Sequence, residues 1–263
     1  MRPIAELPVE VARSLHGVVF DVDDTLTRGG ILEEEAYAAL FRLREAGLLR
    51  IAVTGRPLGW AEVIAHTWPI DLAVGENGAG YARRDGAVVR RGFFDGGEAE
   101  RARQRVVLER VAREVAAALP EVTLASDSAL RSCDLAFDVG ETVTLAPERV
   151  AILRRVIEAA GARAVVSTVH AHAIPGAWDK ASGTERAVRA LGLGPEELRA
   201  ELLFVGDSGN DAPAFAYFAH TAAVANVAPH LSALPVPPAF VAQADRGRGF
   251  AEIVAALLER RRA

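Results

Sequence analysis

The chain has 263 residues, half of them hydrophobic (51%), with 25% charged residues and a net charge of −5. That length allows one large or two medium domains with ample core. The mild negative charge gives no basic footprint for nucleic acid, and no long uncharged apolar span predicts a membrane helix. Cys133 is the single cysteine, so no intrachain disulfide forms, which fits a reducing, cytoplasmic setting. Residues 1–16 carry Pro3, Pro8 and charges but no apolar leader segment, predicting no secretory signal.

In chain order, residues 18–20 (Val-Val-Phe) read as a buried strand that breaks into Asp21-Val22-Asp23-Asp24-Thr25. A buried strand gains nothing from acids at its end unless something binds there, because unpaired charge is expensive to desolvate. The pattern suits a nucleophile, a proton donor and a metal ligand in one loop, or else a helix cap. An amphipathic helix is expected over 33–46, closed by Gly47. A strand over 49–53 breaks at Thr54-Gly55-Arg56-Pro57, where a hydroxyl and free amides suit an anionic oxygen.

Beyond Glu76-Asn77-Gly78-Ala79, a turn is expected at 83–86 with a returning strand over 87–89. Helices are expected over 98–119 and 146–160, and strands over 122–125, 135–139 and 164–169. The basic run at 101–113 alternates with glutamates and reads as a solvated helix face. His170 and His172 share one strand face, directed either at a site or at structural neighbours. With Arg56, Asn77 and Arg131 they are candidate substrate contacts; a zinc site through the two histidines lacks further ligands nearby.

Of the 30 Lys and Arg residues only Lys180 is a lysine, so the other 29 are arginines. A lysine kept in such a background suits a site needing a compact ammonium. A helix is expected over 179–191, then a strand over 202–205 leading into Gly206-Asp207-Ser208-Gly209-Asn210-Asp211, a set of oxygen donors for a hard cation. A helix over 210–218, a strand over 221–225, a rigid surface loop over 234–238 and a closing helix over 249–260 complete the reading.

The motifs Asp21-Val22-Asp23-Asp24-Thr25, Thr54-Gly55-Arg56, Lys180 and Gly206-Asp207-Ser208-Gly209-Asn210-Asp211 resemble, in order, the four motifs of the haloacid dehalogenase (HAD) superfamily of phosphohydrolases. Asp21 and Thr54 lie 33 residues apart, whereas Thr54 and Lys180 lie 126 apart, too far for a simple crossover. An insertion there resembles the branch with a large C2-type cap, including Cof-like and sucrose-phosphate-phosphatase-like enzymes; the segment 76–79 is similar to one that Cof-like members carry. The resemblance implies an α/β fold, a Rossmann-like parallel-sheet core (1–82 and 175–263) with an inserted smaller α/β cap (83–174).

It also implies a cytoplasmic phosphatase of small phosphate esters, sugar phosphates favoured, acting through an aspartyl-phosphate. Asp21 would be the nucleophile and Asp23 the acid and base. Mg²⁺ would be held by Asp21, the Asp23 carbonyl and Asp207, with Asp211 completing the sphere or supporting it from behind. Lys180, Thr54, Gly55 and Asn210 would bind phosphoryl oxygens. One departure is Asp24, where many members have glycine. A phosphomannomutase-like phosphomutase and a non-catalytic ligand-binding protein on the same scaffold are the alternative readings; neither nucleic acid nor membrane is an expected partner.

Overall fold

The computed structural model describes residues 1–94 and 97–263. Its large sheet has nine strands in the order Arg2–Pro3, Phe240–Val241, His220–Ala223, Leu202–Gly206, Gly17–Phe20, Leu49–Val53, Leu72–Gly75, Gly80–Asp85 and Val88–Phe93. The first seven run parallel and the last two turn antiparallel. This is the α/β, Rossmann-like parallel-sheet architecture expected of the sequence.

The central strand is covered on both faces. Val18 and Phe20 pack with Leu40, Leu43, Phe250 and Ile253, while Val19 joins Ile51, Val53, Phe204 and Phe215 on the opposite side. That alternation follows from the two-residue period of a strand, and it explains an uninterrupted apolar run in the sequence. The helices Glu34–Glu45 and Arg246–Arg262 cover the first face.

A second, antiparallel sheet of Arg163–Val166, His170–Ile174 and Leu135–Asp138 packs on the helices Glu98–Ala118 and Pro147–Ala159. Its own core contains Val111, Val115, Phe137, Leu153 and Ile157.

Several elements differ from the sequence reading. The turn expected at 83–86 is mostly strand: Gly80–Asp85 runs to a turn at Gly86 and pairs with Val88–Phe93 on the edge of the large sheet. The edge strand accommodates Arg90 and Arg91, whose charges discourage further strand pairing, while Arg83 and Arg84 lie on its neighbour. The expected strand over 122–125 reduces to a single bridge between Leu124 and Phe137. The strand expected over 164–169 stops at Val166, and the chain turns to re-enter the sheet at His170. Leu234, expected on a surface loop, is buried. A helix at Pro195–Glu201 was not expected, although Gly194-Pro195-Glu196-Glu197 carries an N-terminal signature. Among the described residues, no helix is long and apolar enough to cross a membrane.

Candidate active site

Sheet order converges the motifs. Leu202–Gly206, Gly17–Phe20 and Leu49–Val53 are neighbours, with Val205 opposite Phe20 and Phe20 opposite Ala52. Asp207, Asp21 and Thr54 therefore emerge side by side at the carboxyl edge, where open parallel sheets offer a crevice. The Asp21 amide bonds to the Val205 carbonyl at 2.9 Å, and the Thr54 amide to that of Val74 at 2.9 Å.

Lys180 enters from the start of the helix Lys180–Val188, capped by Asp179, which accepts from the Ser182 amide at 2.8 Å. Its Nζ lies 2.8 Å from Asp21 Oδ1 and 2.6 Å from Asp211 Oδ1, fully buried. Burial alone would lower the lysine's pKa, but Asp21 and Asp211 raise it, so the ammonium stays charged.

Asp21 accepts the Val22 amide at 2.8 Å, also on Oδ1, so both contacts gather on one oxygen. Burial raises its pKa, with Asp211 adding to the effect and Lys180 opposing it. Burial likewise raises Asp207, reinforced by Asp211 and Asp21. Asp207 Oδ1 accepts from Thr25 Oγ1 and its Oδ2 from Asn226 Nδ2, both at 3.2 Å. Asp211 is more heavily engaged: Oδ1 takes Lys180, and Oδ2 takes the amides of Asp207 and Ser208 at 2.9 and 3.0 Å.

Carboxylate oxygens of Asp21, Asp207 and Asp211 lie within 4.8 Å of one another. When all are ionised, three carboxylates facing one ammonium leave an excess of two negative charges in a buried volume, the repulsion that helps raise the pKa values of Asp21 and Asp207. Hard oxygen donors with that charge excess fit a divalent cation such as Mg²⁺.

Asp23 lies outside this cluster of three. Its carboxylate receives Arg56 Nε at 3.0 Å and Nη2 at 2.9 Å, and Arg56 Nη1 also reaches Glu141 at 2.7 Å. Glu141 in turn meets His170 Nε2 at 3.0 Å. Thr54 Oγ1 accepts the Arg56 amide at 3.0 Å. Asn210 donates to Asn77 Oδ1 at 3.2 Å and accepts from Ser208 Oγ at 2.9 Å. Gly55 lies where the two sheets meet; its carbonyl accepts from Arg131 at 3.0 Å. Asp21, Asp23, Gly55, His170, His172, Ser208 and Asn210 line one small chamber.

Asp24 has φ of +54°, a left-handed conformation that favours glycine. Its added charge is matched by Arg246 at 2.9 Å and Thr168 Oγ1 at 3.0 Å. Both expected histidines are buried and turn inward rather than to solvent. Sequence reasoning missed their partners, Glu141 and Asp134, and missed Asn226, whose polar side chain within Val224-Ala225-Asn226-Val227 was the available signal. It also assigned no role to Glu76. That carboxylate accepts the amides of Leu58, Ser132, Cys133 and Asp134 at 2.6–2.9 Å, tying the large sheet to the smaller one.

No family model and no curated protein matches the chain. Solved structures do. A Thermoplasma acidophilum protein is 21% identical with a TM-score of 0.70, covering 93% of this chain and 98% of its own. The sucrose-phosphatase of Synechocystis, solved with sucrose and phosphate, is 18% identical at a TM-score of 0.65, over 93% of this chain and 98% of its own. A phosphatase of the haloalkanoate (HAD) enzyme superfamily from Bacteroides thetaiotaomicron is 19% identical at 0.59, over 94% and 96%. The chain thus has the fold of the HAD phosphatases along nearly its whole length.

Proposed function

We propose that the protein is a HAD-superfamily phosphatase of the Cof-like and sucrose-phosphate-phosphatase-like branch, hydrolysing small phosphorylated metabolites with Mg²⁺ in the cytoplasm. The observation that carries this reading is the buried cluster of Asp21, Asp207 and Asp211 with Lys180 wedged between two of its members. A binding protein gains little from concentrating so much like charge.

Asp21 attacks phosphorus, forming an aspartyl-phosphate and splitting one difficult displacement into two. Asp23 protonates the leaving alkoxide and then takes a proton from the water that releases phosphate. Arg56 holds the Asp23 carboxylate between those roles. Lys180, the Thr54 hydroxyl, the Gly55 amide and Asn210 bind phosphoryl oxygens, supplying charge where it builds up. Asp21, Asp207 and the Asp23 carbonyl would hold Mg²⁺, and Asp211, occupied by Lys180 and two amides, supports them from behind. When bound, the cation neutralises charge on the transferring group.

The proposed core is 1–82 with 175–263 and the proposed cap 83–174; the strand Val88–Phe93 pairs with Gly80–Asp85 on the large sheet. Sugar phosphates are the favoured class, supported by the likeness to a sucrose-phosphatase. Phosphate release from sugar phosphates, nucleotides and phosphorylated cofactors, with Mg²⁺ or with EDTA, tests the reading. Mg²⁺-dependent release supports it; turnover that moves phosphate between hydroxyls without releasing it contradicts it.

A further inference from the structure

His172 is buried, and its Nδ1 meets Asp134 Oδ2 at 3.0 Å. Asp134 is itself enclosed, with Arg131 Nη1 at 2.9 Å on its other oxygen. Although burial opposes ionisation, Arg131 and His172 hold its pKa down at about 2. A carboxylate on Nδ1 fixes the tautomer: Nδ1 carries the proton, and Nε2 presents a lone pair. Burial also lowers the pKa of His172, so the ring stays neutral near pH 7.

That lone pair faces the site. A Cβ placed on Gly55 would stand 3.0 Å from His172 Nε2 and 3.3 Å from Asn77 Nδ2. Asn77 Nδ2 is buried without a hydrogen-bond partner. Gly55, having no side chain, thus sits between one acceptor and one unused donor, and it lines with His172 the chamber shared with Asp21 and Asp23. A buried polar atom without a partner is costly, so such a pair marks what the ligand supplies. Phosphoryl oxygens suit the Asn77 donor, but they repel a bare imidazole nitrogen. Nε2 needs a donor that belongs to the leaving group.

We propose that His172 and Asn77 form a specificity subsite for a phosphate ester bearing a hydroxyl on the carbon adjacent to the ester-bearing carbon. His172 Nε2 accepts from that hydroxyl, while Asn77 Nδ2 donates to the phosphoryl group. The inference rests on the phosphatase reading and narrows its substrates to polyol and sugar phosphates with a neighbouring hydroxyl. A site built to bond a hydroxyl discriminates strongly against the analogue lacking it.

The test compares kcat/KM for glycerol 3-phosphate with that for 3-hydroxypropyl phosphate, which lacks only the neighbouring hydroxyl. Wild type should favour the former by at least about tenfold. His172→Leu should bring the ratio close to one, and His172→Gln, which keeps an acceptor, should restore part of it. Taking the ratio within each enzyme cancels a general loss of rate, and melting curves identify a variant that fails to fold. A wild-type ratio near one overturns the proposal, whatever the variants do; so does an undiminished ratio in folded His172→Leu. Failure of wild type to hydrolyse p-nitrophenyl phosphate with Mg²⁺ would instead count against the phosphatase reading.

Discussion

Gly78 and Gly183 meet backbone to backbone: a Cβ on Gly183 would fall 2.2 Å from the Gly78 Cα. Gly78 has φ of +113°, and a Cβ there would fall 2.2 Å from the Asp179 carbonyl oxygen. This contact seats the helix Lys180–Val188 against the turn Glu76–Gly78, and so fixes how far Lys180 reaches towards Asp21. Gly183→Ala should therefore push the helix away, with a stability loss of about 1–3 kcal/mol. Because the displaced group is the site's ammonium, kcat should fall at least about tenfold. Thermal melting and p-nitrophenyl phosphate turnover check both; a variant with wild-type values for each would show that the contact sets nothing.

Glu76 adopts φ of +49° and receives four backbone amides, one from Leu58 and three from 132–134. An amide side chain has one acceptor oxygen in place of two. Glu76→Gln should strand about two of those donors and lower stability by about 2–4 kcal/mol. Urea unfolding measures the loss, and a change under about 0.5 kcal/mol would mean that the carboxylate is not the clasp it resembles.

Asp134 gives a pH dependence with a definite sign. Its pKa falls from 3.8 to about 2 on folding, through Arg131 and His172 and against the burial penalty. The stabilisation is complete above the unfolded value and is lost as pH falls through about 2, amounting to about 2 kcal/mol. Urea midpoints measured from pH 5 down to 2 should show Asp134→Asn losing less stability than wild type over that interval. Parallel curves would contradict the assignment.

Asp23→Asn should lower kcat on an alkyl phosphate by about 100-fold, because an alkoxide needs a proton to leave. A nitrophenolate leaves without one, so its loss should be smaller, about tenfold or less. Equal losses on both substrates would remove the acid role from Asp23 and leave it as an ion-pair partner of Arg56.

The carboxyl edge of the sheet was legible because its signals are local. A buried apolar strand that ends in acids states its own purpose, and Lys180 stood out against 29 arginines. Parallel neighbours then brought Asp21, Thr54 and Asp207 together with no further information. What stayed hidden depends on partners distant in sequence. His172 and Asp134 are 38 residues apart and Glu76 and Asp134 are 58, so no periodicity links them. The returning strand over 87–89 was legible, but Arg83 and Arg84 look like a turn until pairing with Val88–Phe93 makes Gly80–Asp85 a strand. Asp24, by contrast, looked like surplus charge until Arg246, from the far end of the chain, closed on it.

The central claim is that Asp21 is the nucleophile, and Asp21→Asn tests it most directly. Phosphate release from p-nitrophenyl phosphate with Mg²⁺ should fall at least about 1,000-fold, while circular dichroism and melting show an intact fold. A folded Asp21→Asn protein that releases phosphate at a rate near wild type would contradict the account.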